Sequence, residues 1–222
     1  MFDEIERSAE DRNTDAEQTK KNFVIKKRKP KEIVTVIKED QMKQFADRYL
    51  ITASYDALDK LTGPLLIISE QAERSIKEHI EWGIKTDRNI FEQGGILIGK
   101  PFLVGDTMVG IVEYMIPGDP KRADEVYLEM GTETWAKMLK VYDERYKNDG
   151  LYVIGWFHTH PNDLPVFMSP TDMRTQKHFF NEQWHFSLVL NPHRRLAACF
   201  HSAAAMKCDY YPHCFADREE DL

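Results

Sequence analysis

Residues 155–172 read GWFHTHPNDLPVFMSPTD, and most of the chemistry in this chain is concentrated here. The first part is apolar enough for a buried strand, in which His158 and His160 lie two residues apart. Because side chains alternate across a strand, both imidazoles point to the same face. Pro161 lacks the donor that the next ladder bond needs, and so ends the strand. The spacing favours two imidazoles on one metal ion; two surface histidines on an edge strand are the alternative.

A carboxylate completes the pattern, since Asp172 follows His160 by twelve residues. Two histidines and one carboxylate leave a position open for water, as catalytic zinc requires. The same stretch also predicts a helix start, because Ser169 is a good N-cap, Pro170 fits the first turn and Asp172 completes a capping box. The two interpretations are compatible. A helix start can aim Asp172 at a metal and Ser169 at an anionic oxygen.

The rest of the chain predicts strands that alternate with helices. Residues 32–37 could form a strand and 38–50 a helix, although this segment is hard to type. Some neighbouring strands pair as hairpins, so we expect an α/β fold with a mixed sheet flanked by helices. The predicted strands are 64–69, 94–102, 108–115, 126–130, 151–160, 186–191 and 196–203, with turn chemistry at 116–120. The predicted helices begin at Ser69, Thr132 and Ser169.

Charge and composition divide the chain of 222 residues, whose net charge is −7. Residues 1–32 carry nine Lys or Arg and eight Asp or Glu, a composition that cannot bury enough apolar surface to offset the entropy of ordering. We therefore expect a disordered charged tail over 1–32, an extension of uncertain structure over 33–62, a catalytic domain over 63–205 and a C-terminal tail over 206–222. The acidic body makes nucleic acid an unlikely partner, because phosphate neutralisation drives such binding.

Three cysteines are too few for a disulfide framework and indicate a reducing, cytoplasmic compartment. No apolar run approaches the roughly 20 residues that a membrane helix needs, so we expect no membrane partner. Cys208 and Cys214 match the spacing of no standard zinc module and are interpreted as free thiols.

These motifs resemble those of the JAMM (MPN-plus) zinc metalloproteases: a distant Glu, then His-Ser/Thr-His-Pro and Ser-x-x-Asp. Upstream, residues 92–99 read EQGGILIG and are similar to the Glu-x-x-Gly-x-x-x-Gly of that family. The likeness covers about residues 65–200. Between His160 and Ser169 this chain has eight residues, whereas the family usually has seven. The loop also lacks the Gly-rich, Cys-Trp character of the eukaryotic members, which favours a divergent bacterial or archaeal one.

The resemblance implies a cytidine-deaminase-like mixed sheet and one catalytic zinc ion held by His158, His160 and Asp172. It further implies that Glu92 is the general base and that Ser169 donates a hydrogen bond to the oxyanion. The implied reaction is hydrolysis of the bond after the C-terminal Gly of ubiquitin or a ubiquitin-like modifier. The implied partners are that modifier and its conjugates, together with activating or conjugating enzymes of the same pathway.

A flap over residues 117–130 would pair with the extended tail of the modifier by strand addition. Val126, Tyr127 and Leu128 have the β character for this role, and an ordinary core strand is the alternative. Trp156 shares the face of the two histidines and could wall the substrate site or simply belong to the core. Two other functions stay open: a peptidase that processes a ubiquitin-like or sulfur-carrier precursor, and a non-catalytic scaffold of the same fold. Such scaffolds lose metal ligands, whereas this chain keeps them.

Overall fold

The computed structural model describes residues 33–49, 63–83, 91–118 and 131–211. Within these ranges the strands are β1 Thr35–Ile37, β2 Leu65–Ile68, β3 Gly94–Val104, β4 Thr107–Gly118, β5 Tyr152–Thr159, β6 Phe186–Asn191, β7 Leu196–His201 and β8 Met206–Tyr211. The α-helices within the same ranges are α1 Met42–Arg48, α2 Glu70–His79, α3 Thr132–Arg145 and α4 Pro170–Phe179. None of these helices has the length and apolar character that crossing a membrane requires.

The strands form one mixed sheet, as the sequence predicts. β3 pairs antiparallel with β4 on one side. On its other side its first half pairs antiparallel with β5 and its last three residues pair parallel with β1. Hydrogen-bonded neighbours lead from β3 through β4, β2, β8, β7, β6 and β5 back to β3, so the described strands β2–β8 close into a ring. In this ring β5 lies between β3 and β6 and has a neighbour on both sides.

Helix α2 packs against one face of the ring. Ser69 caps the helix by accepting a hydrogen bond from the amide of Ala72 at 3.2 Å. Ile76 and Ile80, which the sequence places on one apolar face, are fully buried in the largest core cluster with side chains of β2–β7, while Ile84 lies outside the described residues. Burial of each such side chain contributes about 1.5–3 kcal/mol.

Two further clusters bury apolar side chains on the sheet. Met42 and Phe45 of α1 lie in one cluster with strand residues of β2, β3 and β4. Met138 of α3 lies in another with Ile96 and Trp156. The N-terminal extension therefore contributes strand β1 and helix α1 to the folded body, at least over its described residues 33–49.

Two glycines of the sequence motifs allow the strands to approach each other closely. A Cβ atom at Gly155 would lie 2.1 Å from the carbonyl oxygen of Phe186. A Cβ atom at Gly95 would lie 2.4 Å from the carbonyl oxygen of Ile116 and 2.7 Å from the Phe157 ring. Both distances are far below van der Waals contact. Glycine at these positions is therefore required by the packing of β3, β4, β5 and β6.

Two boundaries differ from the sequence predictions. The expected C-terminal tail over 206–222 begins with strand β8, which pairs with both β2 and β7. Its alternation is weak, and it pairs with β2, which is distant in sequence, as well as with β7, which directly precedes it. The expected turn at 116–120 is also strand as far as Gly118, because Ile116 and Pro117 pair with β3. Residues 1–32, 119–130 and 212–222 lie outside the described residues.

Candidate metal centre

The two histidines predicted to bind metal lie at the end of β5: His158 is in the strand, and His160 directly follows its last residue, Thr159. His158 pairs with Gly94 of β3 on one side and with Val189 of β6 on the other. The side chains of His158 and His160 are 1% and 4% exposed. Asp172 lies in the first turn of α4 and is 9% exposed. The end of a central strand and the start of a helix thus bring the three predicted ligands together.

The distances between these side chains fit a tetrahedral metal site. Oδ2 of Asp172 lies 3.3 Å from Nε2 of His158 and 3.6 Å from Nε2 of His160. Zinc bonds to nitrogen and oxygen of roughly 2.0–2.2 Å at tetrahedral angles place ligand atoms about 3.3 Å apart. One possible ligand atom from each residue lies within 4.8 Å of the others, and no other such group of His, Cys, Asp and Glu occurs among the described residues.

His158 supports the same interpretation, because its imidazole is buried without ordinary partners. Within the described part of the chain, neither of its ring nitrogens makes a hydrogen bond. A buried polar group without a partner costs about 1–3 kcal/mol. A cation between Nε2 of His158 and Asp172 would remove this cost for Nε2. The residues present therefore fit a metal ion with two imidazole ligands and one carboxylate ligand.

The predicted capping box is confirmed and uses the same carboxylate. Oδ2 of Asp172 accepts a hydrogen bond from the amide of Ser169 at 2.7 Å, and Oγ of Ser169 accepts one from the amide of Asp172 at 3.2 Å. The cap uses a lone pair of the Ser169 oxygen and leaves its hydroxyl proton for donation to another group. The capping interpretation of Ser169 and Asp172 and the metal-ligand interpretation of Asp172 are therefore compatible.

Electrostatics favour an ionised carboxylate at this site. Burial would raise the pKa of Asp172, but its contacts with His158, His160 and Ser169 outweigh burial and hold the pKa far below its usual range. Burial would lower the pKa of His160, yet Asp172, the Pro165 carbonyl and Glu92 together raise it. The site therefore attracts positive charge.

The second ligand, His160, is oriented by a hydrogen bond. Its Nδ1 lies 2.7 Å from the carbonyl oxygen of Pro165, which can only accept. Nδ1 therefore carries the proton, and the lone pair on Nε2 faces Asp172. Metal-bound histidines commonly have such a partner on the ring nitrogen that does not bind the metal.

The long loop between His160 and Ser169 is held by a residue that the sequence analysis missed. The fully buried Asn191 donates from Nδ2 to the carbonyls of Asn162 at 2.9 Å and Leu164 at 2.7 Å. Its Oδ1 accepts from the amides of His193 at 3.0 Å and Arg194 at 2.8 Å. Asn162 has a φ of +59°, a conformation that Asn tolerates better than most residues. The Asn-Pro pair at the end of an apolar strand is the only signal that could have indicated this role.

Glu92 lies next to the histidines, where the sequence analysis expected a general base. The following residue, Gln93, exchanges two hydrogen bonds of 2.8 Å with Thr159. Since Gly94 pairs with His158, Glu92 comes opposite His160 and on the same face of the sheet. Glu92 also contributes to the raised pKa of His160. Strand register, rather than sequence proximity, brings the carboxylate to the site.

Trp156 lies behind the site and is 3% exposed. Its ring stacks on that of His158, with centroids 4.5 Å apart and planes 13° apart. Its Nε1 donates a hydrogen bond of 2.7 Å to Oε1 of Gln176, a fully buried residue of α4 whose role the sequence analysis missed. Most of the Trp156 surface is thus already in contact with the protein.

A groove that includes Asp172 in its lining lies between the start of α3 and α4, along which its lining residues extend to Phe179. It encloses about 410 Å³. Trp135 and Phe179 stack in its wall with centroids 5.6 Å apart, and Phe179 is 62% exposed. The predicted strand-addition residues Val126, Tyr127 and Leu128 lie outside the described residues. The other residues that line the groove are Gly131, Thr132, Trp156, Thr171, Arg174, Thr175 and His178.

Comparison with known families identifies the fold. The family model described as JAB1/Mov34/MPN/PAD-1 ubiquitin protease matches residues 65–183, more than half of the chain. A comparison with curated proteins finds no match. The matched segment runs from β2 to the residues after α4 and includes all five predicted metal-site and catalytic residues. This chain therefore belongs to the JAB1/Mov34/MPN/PAD-1 family and has the α/β fold with a mixed sheet that its sequence predicts.

Proposed function

We propose that this chain is a zinc-dependent peptidase that hydrolyses the amide bond after the C-terminal Gly of ubiquitin or a ubiquitin-like modifier. The observation that carries the proposal is the convergence of His158, His160 and Asp172, with Glu92 on the same face as the histidines. The description of the matching family as a ubiquitin protease supports the class of substrate. The presence of three possible buried ligands in this geometry favours a catalytic function over a scaffold.

Zinc bound by the three ligands would supply a Lewis acid and acidify a water molecule to a pKa of about 7. Glu92 then accepts a proton from the attacking water as its oxygen bonds to the carbonyl carbon. The helix cap uses only a lone pair of the Ser169 oxygen, so the hydroxyl proton stays available. The hydroxyl donates it in a hydrogen bond to the carbonyl oxygen of the substrate, which becomes negatively charged. Glu92 passes the proton to the leaving nitrogen as the carbon–nitrogen bond breaks.

The groove beside Asp172 suits the extended tail that such a modifier presents. Its lining includes the proposed metal ligand Asp172 and also Gly131, which follows the segment predicted to add a strand to the substrate. A tail that ends in glycine can pass close to the buried histidines because it carries no side chain. The lysine-bearing target, and the activating and conjugating enzymes of the pathway, are the partners that this proposal implies.

The test combines metal analysis with a cleavage assay. We expect one zinc ion per chain and cleavage of a ubiquitin-like protein joined through lysine, measured by gel and mass spectrometry. Glu92→Gln should keep zinc and lower kcat by about 10²–10⁴, the contribution of a general base. Glu113→Gln is the matched control, because Glu113 lies on β4 and pairs with Lys100 at 3.6 Å.

The outcomes separate the candidate functions. Cleavage of a linear fusion but not of a lysine-linked conjugate would identify a precursor-processing peptidase. Absence of zinc from the purified protein, together with unchanged cleavage by Glu92→Gln, would refute the proposal. Stoichiometric zinc with no cleavage of either substrate class would instead favour a metal-binding scaffold.

A further inference from the structure

The two histidines at the site are held in different ways. His160 has a hydrogen bond from Nδ1 to the Pro165 carbonyl, which fixes both its tautomer and its ring plane. His158 has no such bond from either nitrogen to any described residue. Metal-bound histidines normally need an outer partner, and its loss typically costs about 10–100-fold in metal affinity. Something other than a hydrogen bond must therefore orient His158.

The contact that defines the His158 ring plane is the stack with Trp156. The two rings are 13° from parallel with centroids 4.5 Å apart, which is the offset-stacked range for aromatic pairs. The centroid of the His160 ring lies 5.0 Å from that of His158, and the two ring planes are inclined by 64°. A flat indole against one face of the imidazole prevents the ring from rotating about its bond to Cβ. Rotation would move Nε2 away from Asp172.

Trp156 is itself held by Gln176. The indole Nε1 donates to Oε1 of Gln176 at 2.7 Å, and Nε2 of Gln176 donates to the carbonyls of Phe180 and Ser202, both at 3.0 Å. Gln176 is fully buried, and both its carbonyl oxygen and its amide nitrogen make hydrogen bonds. The amide therefore cannot turn without the loss of several buried hydrogen bonds.

Gln176 follows Asp172 by four residues on α4, so both side chains lie on the same face of the helix. The helix thus presents one metal ligand directly and acts on a second through Gln176 and Trp156. We propose that Trp156 and Gln176 are positioning residues that set the ring plane of His158 for metal binding, with an aromatic stack in place of the usual hydrogen bond. This inference rests on the metal site of the proposed function but not on its substrate.

The test measures metal binding rather than activity. Gln176→Met removes both the acceptor and the donors at similar volume. Trp156→Phe keeps an apolar ring but has no N–H group. Zinc affinity is measured by competition with a chromophoric chelator, and the geometry of the site by the visible absorption of the Co²⁺-substituted protein.

We expect Gln176→Met and Trp156→Phe each to weaken zinc binding by about 10–100-fold and to change the Co²⁺ spectrum. Phe180→Leu is the matched control: it removes another ring near Trp156, with centroids 6.0 Å apart and planes 16° apart, but spares the bond to Gln176. It should lower stability and leave the Co²⁺ spectrum unchanged.

A purely structural role gives a different result. If Gln176→Met and Trp156→Phe lower the melting temperature of the metal-free protein yet leave zinc affinity and the Co²⁺ spectrum unchanged, the proposal is wrong. Should Gln176→Met fail to fold, Trp156→Phe decides the question alone. Failure of the wild type to bind zinc would overturn both proposals. Binding without cleavage would overturn only the proposed function.

Discussion

At the scale of single residues, one oxygen atom of Asp172 serves the helix cap and, in the proposed function, also the metal site. Oδ2 accepts the Ser169 amide that begins α4 and also faces both histidines. The cap needs only an acceptor, whereas the metal site needs negative charge. The two roles can therefore be separated by substitution.

Asp172→Asn should abolish tight zinc binding, because the amide is neutral, while its oxygen can still accept the Ser169 amide. Asp172→Ala should abolish zinc binding and in addition remove the cap, at a cost of about 1 kcal/mol. Urea unfolding of the two metal-free variants measures this difference. Equal unfolding midpoints would show that the capping bond contributes nothing to stability.

His185 gives the molecule a sensitivity to acid that is separate from the metal site. Burial against Phe180 and Trp184 lowers its pKa to about 4. The unfolded chain has a His pKa near 6.5, so between about pH 6.5 and 4 the unfolded state binds the additional proton. Its contribution to the free energy of unfolding is therefore present above this window and is lost as the pH falls through it, by up to about 3 kcal/mol.

His185→Gln should flatten this dependence. The measurement is the free energy of unfolding of the metal-free protein between pH 7.5 and 4.5, compared with wild type so that the other histidines cancel. A slope that the substitution leaves unchanged would mean that His185 is protonated in the folded state.

At the scale of elements, local signals were predictable from sequence and long-range contacts were not. The caps at Ser69 and Ser169 depend on residues three positions away, so the sequence identified both. Alternation placed Trp156 on the face of the histidines, but its partner Gln176 is twenty residues away. Asn191 contacts a loop 27 to 29 residues upstream, which no local pattern can indicate.

The loop between the ligands shows the consequence of one such contact. Asn191→Asp keeps the acceptor for the amides of the β6–β7 turn but replaces the donors to Asn162 and Leu164 with a carboxylate oxygen. Repulsion from the two carbonyls should displace the loop, and with it the Pro165 carbonyl that holds His160. We expect zinc affinity to fall by about 10–100-fold. Isothermal titration with zinc checks this, and Arg194→Ala, which loses an exposed bond of 3.3 Å to the same loop, is the control.

At the scale of the whole molecule, closure of the ring depends on β8. Residues from Met206 onwards were expected to form a tail, whereas MKCDYY forms β8, whose partners β2 and β7 are far apart in the chain. The mixed sheet and its flanking helices were predictable, since each repeats a local period. The pairing of β8 with β2, which closes the ring, was not predictable from the sequence, because it is decided by the packing of the complete sheet.

Truncation after Ala205 should therefore destabilise the protein strongly. It exposes one edge of β7 and one edge of β2, and such edges also promote aggregation. Truncation after Tyr211 keeps β8 and is the matched control. Thermal unfolding and light scattering compare the two forms. A melting temperature that is the same in both would show that β8 adds nothing to the fold.

The position of β5 between two neighbours has a consequence for amide hydrogen exchange. Amides in strands paired on both sides are released from protection only when the whole domain unfolds, whereas those of loops and helix ends exchange through local opening. The Phe157 and Thr159 amides should therefore exchange at the global rate, and those of residues 162–168 much faster. The three ligands then belong to regions of unequal stability: His158 to the most durable part of the sheet, and His160 and Asp172 to the two ends of a loop that can open while the sheet stays intact.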